Sequence, residues 1–416
     1  MDAIMKKITV SGLAFVFFLF TLVSCDLFKN DDSDSQHEKK YLVSKTLLMT
    51  YLESMVEVSV QAIEKAYPDA SGLSQYVKYG FFVYKVEYNT TFNNQNVVAS
   101  GLVCVPIASG TFPLLSFQNG TNTLHSQAPT EAYTDSLVLL MQTVTSFGFV
   151  VAMPDYLGFG SSETMFHPYL HKASTIQSVT DLLRAVREMM ADYPSTAISK
   201  EVYLMGYSQG GWASMAMKKE LETNLTSEFT LKATSCGAGP YDLTYICNKI
   251  LSQTTYPQPY FLAYMVNSYI KSGEISLTYA DIFNAPYSAT NYISDLYDGT
   301  KDGDYINSKL STSISTLFTS DIIANLTTGT KYATLRTALA NNSVSAWKTT
   351  SPTFMMHGLG DTFVTPIVSN NLYLDFLAKG TSVSTITYIP IPTLDHREAV
   401  IPWGLLSVKW IMGKKG

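Results

Sequence analysis

The sequence predicts an α/β fold, with a mostly parallel central sheet wrapped by helices and a helical insertion late in the chain. Three observations predict it. From residue 113 onward, short apolar runs rich in β-branched residues alternate with stretches of helical period, the signature of βαβ units. Ahead of them, two strand-like segments flank an asparagine-rich turn. Between residues 241 and 347 the buried-strand pattern gives way to Tyr, Leu, Ser and Asn, over a length too great for a passive loop.

At the N-terminus, Lys6 and Lys7 precede an apolar stretch over 8–23 that ends in Leu22-Val23-Ser24-Cys25. A positive flank and a short greasy segment ending in small residues read as a secretory signal, too short for a permanent spanning helix. The last four residues resemble the lipobox of bacterial lipoproteins, which implies a signal peptide over 1–24, cleavage before Cys25, acylation of that cysteine, and an extracytoplasmic, membrane-anchored protein. Residues 25–40 are polar and acidic, a solvated tether.

Folded chain is expected from residue 41. Leu48, Tyr51, Leu52, Met55, Val56 and Ile63 recur at helical spacing, so 47–63 reads as an amphipathic helix. Segments 79–88 and 97–105 pair as a hairpin around Asn93-Asn94-Gln95-Asn96. Further strands are expected at 113–117, 149–154, 201–206, 231–236, 353–357 and 385–389, with helices over 134–145, 175–190, 211–221, 366–377 and 400–412. The organisation is a core in two parts, 41–240 and 351–416, interrupted by a helical cap or lid at 241–350.

Composition narrows the function classes. The net charge is −6, only 15% of residues are charged, and no basic block could neutralise a run of phosphates, which argues against a nucleic-acid partner. Beyond Cys25, Cys104, Cys236 and Cys247 remain; Cys104 reads as a buried small hydrophobe in a strand, and whether Cys236 and Cys247 pair is open. No cysteine and histidine spacing resembles a zinc site, and no cofactor is expected.

The chemistry begins at Gly206-Tyr207-Ser208-Gln209-Gly210, which follows the apolar strand Val202-Tyr203-Leu204-Met205 and precedes a helix. That context is a nucleophile elbow: Ser208 occupies a sharp, strained turn that lifts its hydroxyl clear of the sheet, and side chains two residues away on either side would strike backbone. A serine hydroxyl needs a base, and the imidazole needs an anion to hold its tautomer. In the α/β-hydrolase fold these follow in the order serine, acid, histidine. Only His357 and His396 lie after Ser208. His357 ends a strand and orders its turn, Asp361 follows in the loop Gly358-Leu359-Gly360-Asp361, and His396 lies on the loop after the last strand. Asp361 is thus the acid and His396 the base, with Asp395 an alternative acid. The oxyanion donors are the backbone N–H of Gln209 and, from the loop Gln118-Asn119-Gly120-Thr121, that of Gly120 or Thr121. Asp298 to Asp304 has the look of a calcium loop, but Lys309 stands where the bidentate glutamate belongs, so it reads as a surface turn. Gly158-Phe159-Gly160 lacks the third glycine of a dinucleotide site and reads as a tight loop beside the pocket.

With these residues in place, the chain resembles the secretory lipase family, the lipase A-like branch of α/β-hydrolases. The resemblance rests on Phe117-Gln118-Asn119-Gly120-Thr121, on the run from Pro154 to Gly160, on His167-Pro168-Tyr169-Leu170, on Gly206 to Gly210, and on His357-Gly358-Leu359-Gly360-Asp361. It implies a helical cap after the sixth strand and ester hydrolysis through an acyl-enzyme, with the triad carried by Ser208, Asp361 and His396. One departure is Asn119, where family members commonly have histidine. The expected substrate is a lipid or small acyl ester, with Tyr260, Phe261, Tyr264 and Tyr269 as a candidate acyl wall. A peptide or acylated polysaccharide is the alternative substrate for the same triad, and a surface binding protein without activity is the non-enzymatic one.

Overall fold

The computed structural model describes residues 39–415. Cys25, the signal segment and most of the acidic tether lie outside the described residues. Strands β1 (Leu42–Tyr51), β2 (Phe81–Phe92), β3 (Gln95–Pro106), β4 (Gly110–Gln118), β5 (Val150–Pro154), β6 (Thr196–Tyr207), β7 (Thr230–Gly237), β8 (Thr353–Gly358) and β9 (Ile386–Ile391) make one sheet. Their order is β1-β2-β3-β5-β4-β6-β7-β8-β9, antiparallel through the first three strands and across β3–β5, parallel from β5 to β9. This is the mixed, mostly parallel sheet of an α/β-hydrolase fold.

Alternation along the strands feeds two cores. On β6, Val202 and Leu204 join the cluster under the helices Lys172–Met190 and Gln209–Thr223, whereas Tyr203 and Met205 join the one under Glu53–Ala66 and Val400–Met412. A sheet buried on both faces holds its strand ends rigidly, and the functional loops leave from those ends. Asn93 and Asn94, at φ 48° and 61°, make the two-residue turn between β2 and β3. Cys104 is fully buried on β3, as expected, and Cys236 and Cys247 are separate buried thiols.

One element differs from the expectation. Residues 47–51, read as the start of a helix, are the end of strand β1, and the helix begins only at Glu53. The register of β1 on β2 shifts between Leu42 and Ser44 and again between Leu47 and Met49. Such irregularities break the period of two, so the apolar residues fall at spacings that imitate a helix. The sheet therefore has nine strands, and the insertion follows the seventh.

The regular elements of that insertion are helices, tied by two isolated antiparallel bridges, Thr255 to Ser313 and Phe283 to Phe318. Its longest helices are Leu243–Leu251, Pro259–Ser272 and Ala333–Asn342, with five shorter ones between Tyr279 and Asn325. It leaves and rejoins the core at one place, where Val344 N–H donates to the Tyr241 carbonyl at 2.7 Å and Leu243 N–H to Ser343 Oγ at 2.9 Å. Just beyond, buried Lys218 meets Glu222 at 2.9 Å, and Glu222 also accepts from Trp347 Nε1, Thr349 Oγ1 and Ser351 N–H at 2.7, 2.8 and 2.9 Å. Burial opposes ionisation of both partners. The Lys218 charge and the Ser351 bonds nonetheless hold Glu222 below the ordinary carboxylate range, while burial lowers the Lys218 pKa.

Candidate active site

Strand β6 ends at Tyr207, and the next residue turns the chain straight into a helix. Ser208 has φ 58° and ψ −122°, a conformation that a non-glycine residue holds only under constraint, with its N–H donated to the Gly237 carbonyl at 2.8 Å. Gly210 makes the turn possible: a Cβ there would lie 1.8 Å from the Gln118 carbonyl oxygen and 2.7 Å from that of Asn119. The missing side chain lets the loop after β4 sit directly on the elbow.

The three residues expected to act together meet in space. His396 Nε2 lies 2.8 Å from Ser208 Oγ, and His396 Nδ1 lies 2.6 Å from Asp361 Oδ2. The network assigns the Nδ1 proton of His396 to the Asp361 side and leaves Nε2 to accept from the serine hydroxyl. Asp361 Oδ1 accepts the N–H groups of Phe363 and Val364 at 2.8 and 2.9 Å. Burial works to raise the Asp361 pKa, but bonds from His357 and His396 and their charges outweigh it and hold it at about 2, so the carboxylate stays ionised. The loops bearing acid and histidine interlock at Gly358, where a Cβ would come 2.3 Å from the Leu394 carbonyl. Asp395 instead accepts the N–H groups of Arg397 and Glu398, each at 2.8 Å, and caps its own turn.

Gly120 and Thr121 flank the elbow on the far side. The position of a Gly120 Cβ is 3.8 Å from the Tyr207 carbonyl, so this glycine is not forced by crowding. Among the described residues, the backbone N–H groups of Gly120, Thr121 and Gln209 have no backbone acceptor, which leaves them available to an oxyanion. Thr121 Oγ1 lies 2.9 Å from Tyr169 Oη, and Tyr264 Oη donates to the Asn122 carbonyl at 3.3 Å, so the insertion holds this loop from above.

A family model described as secretory lipase matches residues 123–413. The chain belongs to the secretory lipase family. Membership makes it a carboxylic ester hydrolase. Solved structures share the fold. A Legionella pneumophila protein inferred to be a hydrolase superposes at a TM-score of 0.77 with 24% identity, covering 90% of this chain and 98% of that one. The rice cell wall degrading esterase LipA from Xanthomonas oryzae gives 0.73 at 23%, covering 90% and 97%. Candida antarctica lipase A in its closed state gives 0.64 at 16%, covering 90% and 82%. Comparison with curated proteins gives no match.

Several contacts around the candidate site go beyond what the sequence indicated. Tyr207, inside the elbow pentapeptide, donates its hydroxyl to the His396 carbonyl at 2.8 Å and packs its ring 5.3 Å from the imidazole, fixing the histidine loop. His167 takes the Gln209 side-chain amide at 3.0 Å on Nε2 while Nδ1 bonds the Leu157 carbonyl at 2.7 Å. Burial drives its pKa down to about 4, against the pull of the Leu157 bond, so it stays neutral and accepts. His357 orders its turn as expected, with Nε2 3.0 Å from the Val364 carbonyl, and the same nitrogen also reaches the acid, 2.9 Å from Asp361 Oδ2. Histidine and amide side chains carry no sequence signal of which partner they take.

The aromatic wall splits in two. Tyr264 stacks between Tyr169 and Tyr297, with centroids 4.5 and 4.3 Å away, and Tyr269 is fully buried, so both are packing. Phe261 lies 6.1 Å from Phe363, whose ring is 5.4 Å from His396, so that pair flanks the candidate site. Asp155 is buried and accepts from Ser100, from the Thr130 N–H and from the Thr130 hydroxyl, bracing the Gly158–Gly160 loop rather than facing the elbow. In the calcium-like stretch, Asp298 accepts from Thr300 and Lys301, and Asp302 caps the helix Gly303–Ser308.

Proposed function

We propose that this ester hydrolase works through an acyl-enzyme on Ser208, with His396 as general base and acid and Asp361 as the anion that orients it. The observation carrying this reading is the continuous chain from Ser208 Oγ through His396 to Asp361 at 2.8 and 2.6 Å, with the serine half-exposed on a strained turn. Ser208 Oγ attacks the ester carbonyl and its proton passes to His396 Nε2. The tetrahedral oxyanion lies against the N–H of Gln209 and that of Gly120 or Thr121. Collapse of the intermediate expels the alcohol, which takes the proton from His396; water then repeats the sequence to free the acid and restore Ser208.

The insertion over 241–350 acts as a cap that selects the substrate, with Phe261 and Phe363 against the acyl chain. The likeness to a cell wall degrading esterase favours, as a second reading of the leaving group, an ester carried on a polysaccharide. The N-terminal segment directs the chain out of the cytoplasm, and acylated Cys25 anchors it; among the described residues no helix is long and apolar enough to cross a membrane.

Hydrolysis of p-nitrophenyl esters from acetate to palmitate, beside Ser208→Ala, tests the mechanism. Loss of turnover and of fluorophosphonate labelling in the variant is expected; activity that survives it overturns the reading. Cys25→Ser should release the protein from the membrane fraction, and retention there removes the anchor.

A further inference from the structure

His357 is left without a task by the reaction as described. Its side chain has no exposed surface, yet both ring nitrogens are engaged. Nε2 lies 2.9 Å from Asp361 Oδ2 and 3.0 Å from the Val364 carbonyl, and Nδ1 lies 2.7 Å from Ser369 Oγ. Two acceptors facing Nε2 place a proton there, and the Ser369 hydroxyl then donates to Nδ1. The carboxylate oxygen that receives His396 therefore receives a second imidazole N–H.

We infer that His357 is a positioning residue that shares the charge of Asp361 Oδ2 with His396 and so sets how firmly the triad holds its imidazolium. The inference rests on the triad reading above. With two N–H donors on Oδ1 and two imidazoles on Oδ2, the carboxylate cannot rotate, and Oδ2 stays aimed at His396. Charge drawn toward His357 is unavailable to the cation formed when Ser208 attacks. A base held less tightly as a cation returns its proton to the leaving alcohol more readily.

Other titratable groups lie around His396 and its neighbouring loops. Tyr207 packs on the His396 ring, Tyr256 donates to the Phe363 carbonyl at 2.9 Å, Asp395 and Arg397 flank His396 in sequence, and Arg397 reaches Asp304 at 3.3 Å. Among the described residues none of them bonds the Asp361 carboxylate, and all are retained in the variants below.

The test is the pH profile of kcat/KM on one p-nitrophenyl ester for the wild type, His357→Leu, His357→Gln and Ser369→Ala, with fluorophosphonate titration to count competent sites. Leucine fills the space and donates nothing. It should lower kcat on the order of 10²-fold, keep KM within about two-fold, and move the acid limb up by about half a pH unit or more. Glutamine offers an N–H at similar reach and should return the limb to its wild-type position with most of kcat. Ser369→Ala should shift the limb the same way by less, and it carries the test alone if the leucine variant fails to fold. A wild-type limb in fully titratable His357→Leu or Ser369→Ala overturns the inference, as does an equal limb shift with leucine and glutamine. Failure of the triad reading is distinguished by Ser208→Ala, which would then remain active.

Discussion

The sheet and the insertion solve different problems with different bonds. Around the sheet, each catalytic candidate sits just past a strand end, and its place is set by backbone packed so closely that Gly210 and Gly358 cannot carry a Cβ. The insertion is built mostly of short helices and meets the core largely through side chains: a shared apolar cluster and separate polar contacts such as Tyr256 Oη to the Phe363 carbonyl, Tyr264 Oη to the Asn122 carbonyl, and His125 N–H to the Gly299 carbonyl. It also keeps a cavity of about 20 Å³ among Cys247, Leu262, Met265, Ile282 and Phe318. A tightly determined frame suits bond-making, which tolerates little displacement; an insertion joined to it largely by side chains can change its lining with less disturbance of that frame. Changes in the frame should thus lower turnover of every ester alike, and changes in the cover should alter the ranking among esters.

The largest effect should come from Asp361→Asn, which leaves the shape but removes the anion. We expect a loss on the order of 10⁴-fold in kcat for short and long esters equally. A loss confined to one chain length would break the division between frame and cover. The same carboxylate contributes to acid stability: its pKa falls from an ordinary 3.8 to about 2 in the folded chain, so the stability it contributes is present above 3.8 and drains away as pH falls from there toward 2. Unfolding followed against pH should lose that part of its slope in Asp361→Asn.

Next in size is Lys218→Met, which strands Glu222 without its buried cation where the insertion rejoins the core. A cost of about 3 kcal/mol in urea unfolding is expected; a change below about 0.5 kcal/mol would show that the junction does not depend on the pair. Phe261→Ala should act on preference alone. Activity on long acyl chains should fall about ten-fold relative to acetate, with acetate turnover preserved. Uniform loss across the ester series would instead assign Phe261 to the frame. The smallest effect belongs to Arg397→Ala, whose bond to Asp304 joins two largely exposed side chains. Screening by water leaves such a pair worth little, so stability should hold and added salt should change nothing further.

Legibility follows the same division. All but one of the strands and all the helices of the frame could be drawn from apolar period, because a sheet buried on both faces writes continuous apolar runs. Ser208, Asp361 and His396 could be picked by chain order and strand context. The strand β1 was not legible, since its register shifts disguise its period. Within the insertion, only its helical character could be read, because helices of four to six residues carry too few turns to set a period. The bonds of His357, Tyr207 and His167 depend on tertiary neighbours, and no local pattern announces them.

The doorway at Tyr241 and Val344 has a consequence for how such proteins diverge. Because the chain departs and returns across one pair of hydrogen bonds, the core needs only a short closure there, and what lies beyond can vary wherever its contacts to Asn122, His125 and Phe363 are kept. Lengthening or trimming the excursion away from those contacts leaves the ends of the sheet where they were. Evolution can vary the insertion at this junction without rebuilding the candidate site, and an engineer who seeks another substrate can cut at the same place.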